Sequence, residues 1–278
     1  MNGSTISSSG SFGAISTTYT IIGQHSFMGA ASTQSETADI LWRDNSGNLY
    51  MWFMNGTTVS STATLGNVPT QWTVVGIADL NQDGYGDLLW YNTSTGAVAI
   101  WFMNGSTVTS STTLGTVAPA TNWRILGDGS EGEGAGILWY NTSTGDVTVW
   151  MIRNGAMIGS TDFGAVAPAT GWVIQGIGDF NGDGNVDILW HNTSTGGTAI
   201  WFINNNQITS SANLGNIPTI WSVAQIGDYD GNGKSDILWI DTSGNVAIWF
   251  MNGSTVASSA PLGNVGTTWS AQYTNANN

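Results

Sequence analysis

One segment recurs through the chain at a nearly constant interval. It is a short apolar run ending in tryptophan, with the five copies closing at Trp42, Trp90, Trp139, Trp190 and Trp239, spaced 48, 49, 51 and 49 residues apart. A period near 49 residues is a repeat architecture, in which one supersecondary unit cannot bury its apolar surface alone and stacks on its neighbours. The expectation is one cooperative array, a single domain over residues 1–278.

Each unit reads as four strand-like pieces. The first carries a tryptophan, at Trp72, Trp123, Trp172, Trp221 and Trp269, with Tyr19 in the remaining copy. An acidic loop leads to the second, the tryptophan-ending run. A turn of the type Asn-Thr-Ser-Thr-Gly follows, from Asn92, Asn141 and Asn192, with residues that favour hairpin and left-handed geometry. These triplets also match an N-glycosylation sequon, but their place at a hairpin explains them without a glycan. The third piece is Ala-Ile-Trp-Phe, as at Ala99 to Phe102. The fourth, rich in Ser and Thr, suits an outer edge, where polar residues discourage pairing between sheets. Four short strands per unit of this length match a propeller blade. The fold expected is therefore all-β, a β-propeller of five four-stranded blades, with the first strand of each innermost.

All 15 tryptophans fall at equivalent places in the first, second or third strands, and regular spacing favours a role in the core between blades. The inventory has two surplus pieces, an outer-type strand at Ile6 to Ser8 and an inner-type strand near Trp269. At least one is expected to add to a sheet, closing the ring within the chain or pairing with a neighbouring chain. Met1 to Thr5 repeats Met251 to Thr255, so the chain reads as cut in phase with its repeat.

The loops before three of the second strands run Asp-x-Asn/Asp-x-Asp/Asn-Gly-x-x-Asp. They comprise Asp79, Asn81, Asp83 and Asp87; Asp179, Asn181, Asp183 and Asp187; and Asp228, Asp230, Asn232 and Asp236. Calcium takes six to eight hard oxygen ligands, and a nine-residue loop with oxygens at positions 1, 3, 5 and 9 supplies four side chains around a permissive glycine. Three carboxylates this close repel one another without a cation. About three Ca²⁺ ions are expected, one for each loop. The spacing differs from that of an EF-hand, which needs a twelfth-position glutamate and flanking helices.

This loop, the strand that follows it and the Ile-Trp-Phe-Met-Asn-Gly strand resemble the FG-GAP/VCBS repeat family, which includes integrin α-subunit propellers and certain lectins. The resemblance implies a calcium loop between the first and second strands of a blade, with a backbone carbonyl at position 7 as a further ligand. Here those carbonyls belong to Tyr85, Asn185 and Lys234. The third unit departs from the pattern: Asp128 and Ser130 survive, but Gly132 and Gly136 stand at the fifth and ninth positions. The first unit has no such loop.

Charge narrows the function. The chain carries −14 with only four basic residues, Arg43, Arg124, Arg153 and Lys234, so nucleic acid and anionic membranes are unsuitable partners. No apolar run reaches a membrane-spanning length. There is no cysteine, and the two histidines, His25 and His191, stand in no triad or zinc spacing. The expectation is a calcium-stabilised, non-catalytic, lectin-like module, secreted or at the cell surface, binding glycans at repeated sites. A self-associating adhesin or scaffold is the alternative, and an accessory domain of a larger enzyme the third reading. No individual ligand-binding residue can be named from the sequence.

Overall fold

A computed structural model describes residues 15–25, 39–55, 58–131 and 134–267. Its 20 strands form five antiparallel sheets of four, each built from consecutive strands. Blade 1 contains β1 (Tyr19–His25), β2 (Asp39–Asp44), β3 (Asn48–Asn55) and β4 (Thr58–Asn67); blade 2 contains β5 (Trp72–Ala78), β6 (Asp87–Asn92), β7 (Ala97–Asn104) and β8 (Thr107–Thr116). Blade 3 contains β9 (Trp123–Glu131), β10 (Gly134–Asn141), β11 (Asp146–Arg153) and β12 (Ala156–Ala165). Blade 4 contains β13 (Trp172–Gly178), β14 (Asp187–Asn192), β15 (Gly197–Asn204) and β16 (Gln207–Asn216). Blade 5 contains β17 (Trp221–Gly227), β18 (Asp236–Asp241), β19 (Asn245–Asn252) and β20 (Thr255–Asn264). The first strands pack in succession, β1 on β5, β5 on β9, β9 on β13 and β13 on β17, which makes them the inner strands of a five-bladed propeller.

Burial explains the order. The second strands are nearly continuous apolar runs because both faces are covered, as in β14, where every residue is buried. The fourth strands are exposed along most of their length and hold the outer edge. Every first strand carries a register shift at the same place, as at Val74/Gly76 and Ile174/Gly176. Such bulges strengthen the twist.

The seams between blades are aromatic. The residue after each second-strand tryptophan reaches the tryptophan of the following blade. Arg43 lies over Trp90 at 5.9 Å. Tyr91, Tyr140 and His191 meet Trp139, Trp190 and Trp239 edge to face, at 6.2, 6.3 and 5.8 Å between ring centroids. Four apolar clusters follow the same succession, each drawn from two consecutive blades. Arg43 also donates to the carbonyls of Val68 and Pro69, at 2.7 and 3.0 Å, and to that of Trp72. These bonds partner both terminal nitrogens of a cation that would otherwise be costly to bury, while its Nε has no acceptor.

The structure corrects the reading of the tryptophans as uniformly core. The five second-strand rings are buried. Those of the first strands (Trp72, Trp123, Trp172, Trp221) and third strands (Trp52, Trp101, Trp150, Trp201, Trp249) are only half-buried, because they lie beside the polar fourth strand. The surplus strands expected at Ile6 to Ser8 and near Trp269 lie outside the described residues. Among the described residues each sheet holds four strands from its own blade and none from the other end of the chain.

The Asn-Thr-Ser-Thr-Gly hairpins are built by their asparagines. Asn192 Oδ1 accepts from the amides of Ser194 and Thr195 at 3.0 and 2.9 Å, and Asn92 and Asn141 do the same. All three are buried, so the sequon is a turn device here. The glycine that ends the turn anchors the link to the next blade, with Ile217 N donating to Gly196 O at 2.8 Å. A Cβ on Gly196, at φ +77°, would lie 1.8 Å from that link's Ile217 carbonyl oxygen. Gly196→Ala is therefore expected to cost about 2–4 kcal/mol in urea denaturation, from positive φ and overpacking together. Gly215→Ala, at φ +93° with nothing within 4 Å, isolates the backbone part and should cost about 1–2 kcal/mol.

Candidate metal loops and the aromatic cavities beside them

The three acidic loops share one internal geometry. In the second unit Asp79 accepts from Asp83 N and Gly84 N at 3.0 and 2.8 Å, Asn81 Oδ1 from Asp83 N at 3.0 Å, and Asp83 Oδ1 from Tyr85 N at 2.9 Å. The fourth unit repeats this with Asp179, Asn181 and Asp183 accepting from Gly182, Asp183, Gly184 and Asn185. The fifth repeats it with Asp228, Asp230 and Asn232 accepting from Gly231, Asn232, Gly233 and Lys234. Amides directed at the first-position carboxylate curl the loop, and the side-chain oxygens gather on its inside.

The ninth-position aspartates do a second job. Asp87 Oδ2 accepts from Leu80 N and its Oδ1 from Met103 N, both at 2.9 Å. Asp187 does the same with Phe180 N and Ile203 N, and Asp236 with Tyr229 N and Met251 N. Each clamps the loop to the end of the third strand from a fully buried position. Blade 1, which has no acidic loop, keeps the clamp: Asp39 is buried and accepts from Met54 N at 2.9 Å. The motif's final aspartate is thus structural in its own right, a role its pattern in the sequence did not separate from ligation.

Burial, with the like charges of the loop adding to it, pushes Asp87 up to about 6 and Asp187 to about 7, and raises Asp236. Burial favours the neutral form of these carboxyls, and a bound cation would favour the charged one. In the fifth unit, oxygens of Asp228, Asp230 and Asp236 all lie within 4.8 Å of one another. That matches the span across a Ca²⁺ ion with ligands at about 2.3–2.6 Å. In the fourth unit Asn185 Oδ1 is buried without a protein partner, a spare acceptor at the loop's seventh position. These donor sets fit a hard divalent cation. Tyr85 and Lys234 hold the same seventh position, and Lys234 Nζ donates to Asn252 Oδ1. Adjacent loops are tied together, with Ser235 N donating to Asp179 O at 2.7 Å and Gly253 N to Phe180 O at 3.0 Å. In the third unit β9 and β10 continue as a paired hairpin to Glu131 and Gly134, so the extended ladder takes the place of the loop.

A second feature repeats beside the fourth strands. In blade 2 a cavity of about 380 Å³ is lined by Trp72, Trp90, Trp101 and Ser111 to Thr113. Blade 1 has its counterpart, about 410 Å³, at Tyr19, Trp42, Trp52, Thr62 and Thr64. Blade 5 has another, about 540 Å³, at Trp221, Trp249 and Ser259. The indole N–H groups of all five second-strand tryptophans, Trp42, Trp90, Trp139, Trp190 and Trp239, are buried with no protein acceptor, in blades with and without such a cavity. The sequence placed these residues in register, but it did not show that outer-strand hydroxyls and half-buried indoles share a hollow. His191, by contrast, is buried in a seam, bonded through Nδ1 to Thr198 Oγ1 at 3.1 Å.

The FG-GAP-like repeat family model matches residues 35–90 and 179–239. No curated protein matches the chain. Among solved structures, the luciferin-regenerating enzyme superposes with a TM-score of 0.53 at 10% identity, over 87% of this chain and 76% of that one. Raptor of Chaetomium thermophilum gives 0.46 at 11% identity, over 82% of this chain, which spans only 19% of the Raptor chain. The β-propeller domain of Myceliophteria thermophila Cps50 (Swd1) gives 0.45 at 10%, over 84% and 68%. At such identities the likeness is one of fold alone.

The clamp makes a prediction separable from metal. Asp39→Ala leaves a buried amide without its acceptor and is expected to cost about 1–3 kcal/mol, equally with calcium or chelator present, in denaturant titrations. An effect confined to calcium-containing buffer would show that the aspartate acts as a ligand instead. Repeat sequence, loop geometry and blade architecture agree: the chain is a five-bladed β-propeller, and two stretches of it match the FG-GAP-like repeat model.

Proposed function

We propose that this propeller is a calcium-stabilised, non-catalytic binding module of the extracellular space, and that its ligands are carbohydrates. The observation that carries the reading is the aromatic cavity repeated in blades 1, 2 and 5. Each sets a flat indole face beside hydroxyl-bearing side chains of the outer strand. Sugars present the matching chemistry: an apolar face of C–H groups that stacks on an aromatic ring, and a rim of hydroxyls. Cavities of about 380 to 540 Å³ are of ligand-binding size. Repetition around the ring turns weak individual sites, roughly millimolar to micromolar, into useful avidity.

Calcium enters this reading as a stabiliser. The residues that would hold it are Asp79, Asn81, Asp83 and Asp87, with the Tyr85 carbonyl; Asp179, Asn181, Asp183 and Asp187, with that of Asn185; and Asp228, Asp230, Asn232 and Asp236, with that of Lys234. A bound cation would neutralise carboxylates that the loop already brings together. It would stiffen the joint between the first two strands of three blades. An ion that binds only the folded form adds about 2.7 kcal/mol per site at a hundredfold excess over Kd. Chelator is expected to lower the melting temperature and calcium to restore it. A melting curve indifferent to both would overturn the metal half of the proposal.

The carbohydrate half is tested on a broad glycan array with folded, calcium-loaded protein. A set of related neutral or acetylated sugars should bind. Trp101→Ala and Trp249→Ala should each weaken binding at their own site at least tenfold, about 1.4 kcal/mol. An array without a hit overturns the reading, as does a hit that both variants leave intact.

A further inference from the structure

We propose that the acidic loops of the fourth and fifth units are a coupled pair that takes up calcium cooperatively, whereas the loop of the second unit fills independently. This rests on the calcium reading above and adds a regulation between its sites. Three contacts join the two loops, and they pass through residues of the sites themselves.

The first is a backbone bond. Ser235 N, at the eighth position of the fifth-unit loop, donates at 2.7 Å to Asp179 O, at the first position of the fourth-unit loop. The Ser235 N–H and the Lys234 C=O belong to one peptide group, which is planar and trans. Fixing the N–H therefore fixes the carbonyl, which points the opposite way, away from the fourth-unit loop. That carbonyl is the seventh-position ligand of the calcium reading. Asp179, which accepts the bond, also supplies the first-position carboxylate of its own loop, held by the amides of Gly182, Asp183 and Gly184. One hydrogen bond thus joins a ligand residue of one site to a ligand peptide of the next.

The second contact reaches the buried aspartates. Gly253 N donates to Phe180 O at 3.0 Å, and Phe180 N donates to Asp187, the ninth position of the fourth-unit loop. Met251 N, in the strand that leads into the Gly253 turn, donates to Asp236, the ninth position of the fifth-unit loop, at 2.8 Å. The third contact is the Lys234 side chain, which lies along the fourth-unit loop. A Cβ on Gly182 would stand 3.4 Å from its Cγ and Cε, and its Nζ donates to Asn252 Oδ1 in the same turn.

These ties set the sign of the coupling. A loop that must be ordered to gather its oxygens pays a conformational cost on binding, and a neighbour already ordered by the first cation pays less. The gain is reciprocal between the two sites. Repulsion between cations in adjacent loops opposes it, but salt screens that term, so the cooperative excess should grow with ionic strength. The second-unit loop has no such neighbour. The first unit lacks an acidic loop, and in the third Gly132 and Gly136 replace two ligands while the β9–β10 hairpin takes the loop's place.

The test is calcium titration calorimetry on the calcium-depleted full chain at about 0.15 M salt. Asp83→Ala disables the second-unit loop, Asp183→Ala the fourth and Asp230→Ala the fifth, singly or in pairs. All three carboxylates are exposed, so the variants are expected to fold. With only the fourth and fifth loops intact, the product of the two binding constants should exceed the product of the single-loop values by about fivefold or more. With only the second and fourth intact, no excess is expected. Hydrogen exchange gives a second measurement: in the Asp230→Ala chain, calcium should slow exchange of the Ser235 amide, although that amide's own loop is disabled. Additive constants for the fourth and fifth loops overturn the proposal, as does an equal excess for the second and fourth. A Ser235 amide whose exchange calcium leaves unchanged overturns it too. Calcium uptake by no form of the chain overturns the calcium reading itself, and the coupling with it.

Discussion

The seam between blades is the interaction on which the rest of the structure depends. A four-stranded sheet of this composition has two apolar faces and cannot be stable alone in water. The second-strand tryptophan supplies most of the missing cover, being the largest side chain in the layer and fully buried at Trp90, Trp139, Trp190 and Trp239. Within its own blade it rests on the third-strand indole, with ring centroids 4.8 to 5.3 Å apart in blades 2 to 5. Across the seam it meets a cation, a phenol or an imidazole. The ring tolerates this variety because the tryptophan offers a broad face that each of those groups can approach.

Everything outside the seam is arranged to let blades stack. Hairpin asparagines hold the turn, and the following glycine lets the outgoing link pass within hydrogen-bonding distance of it. Buried aspartates clamp the start of the second strand to the end of the third. That clamp survives in blade 1 without the acidic loop, which separates two functions of one motif: holding the blade together and gathering oxygens. The loop can therefore be lost without losing the blade, and in the third unit an extended hairpin replaces it.

The half-buried tryptophans have a different physical origin. A third-strand indole lies between the apolar second strand and the Ser/Thr-rich fourth, so one part packs and the other faces hydroxyls. The outer strand must be polar to avoid pairing with other sheets. The same requirement leaves hollows in which flat apolar surface and hydroxyl groups occur side by side.

Periodicity, blade count, strand order and the three oxygen-rich loops were legible in the sequence, because each depends on local chemistry repeated at a constant interval. Hairpin turns, a glycine at the sharp bend and an apolar run ending in tryptophan carry their meaning within a dozen residues. What only the tertiary structure decided involves residues that meet across strands or blades. The spacing of the tryptophans could not say which of three equivalent sets is buried, since that depends on what the fourth strand places beside them. Nor could it show that Arg43 and His191 perform the same task as Tyr91, because the shared partner belongs to the next blade. The aspartate at the end of each loop looked like a fourth ligand, and its hold on Met103 or Ile203 fifteen or so residues away became visible only once the strands were paired. A sequence records which groups are repeated; which of them face each other, and which face water, is settled by packing.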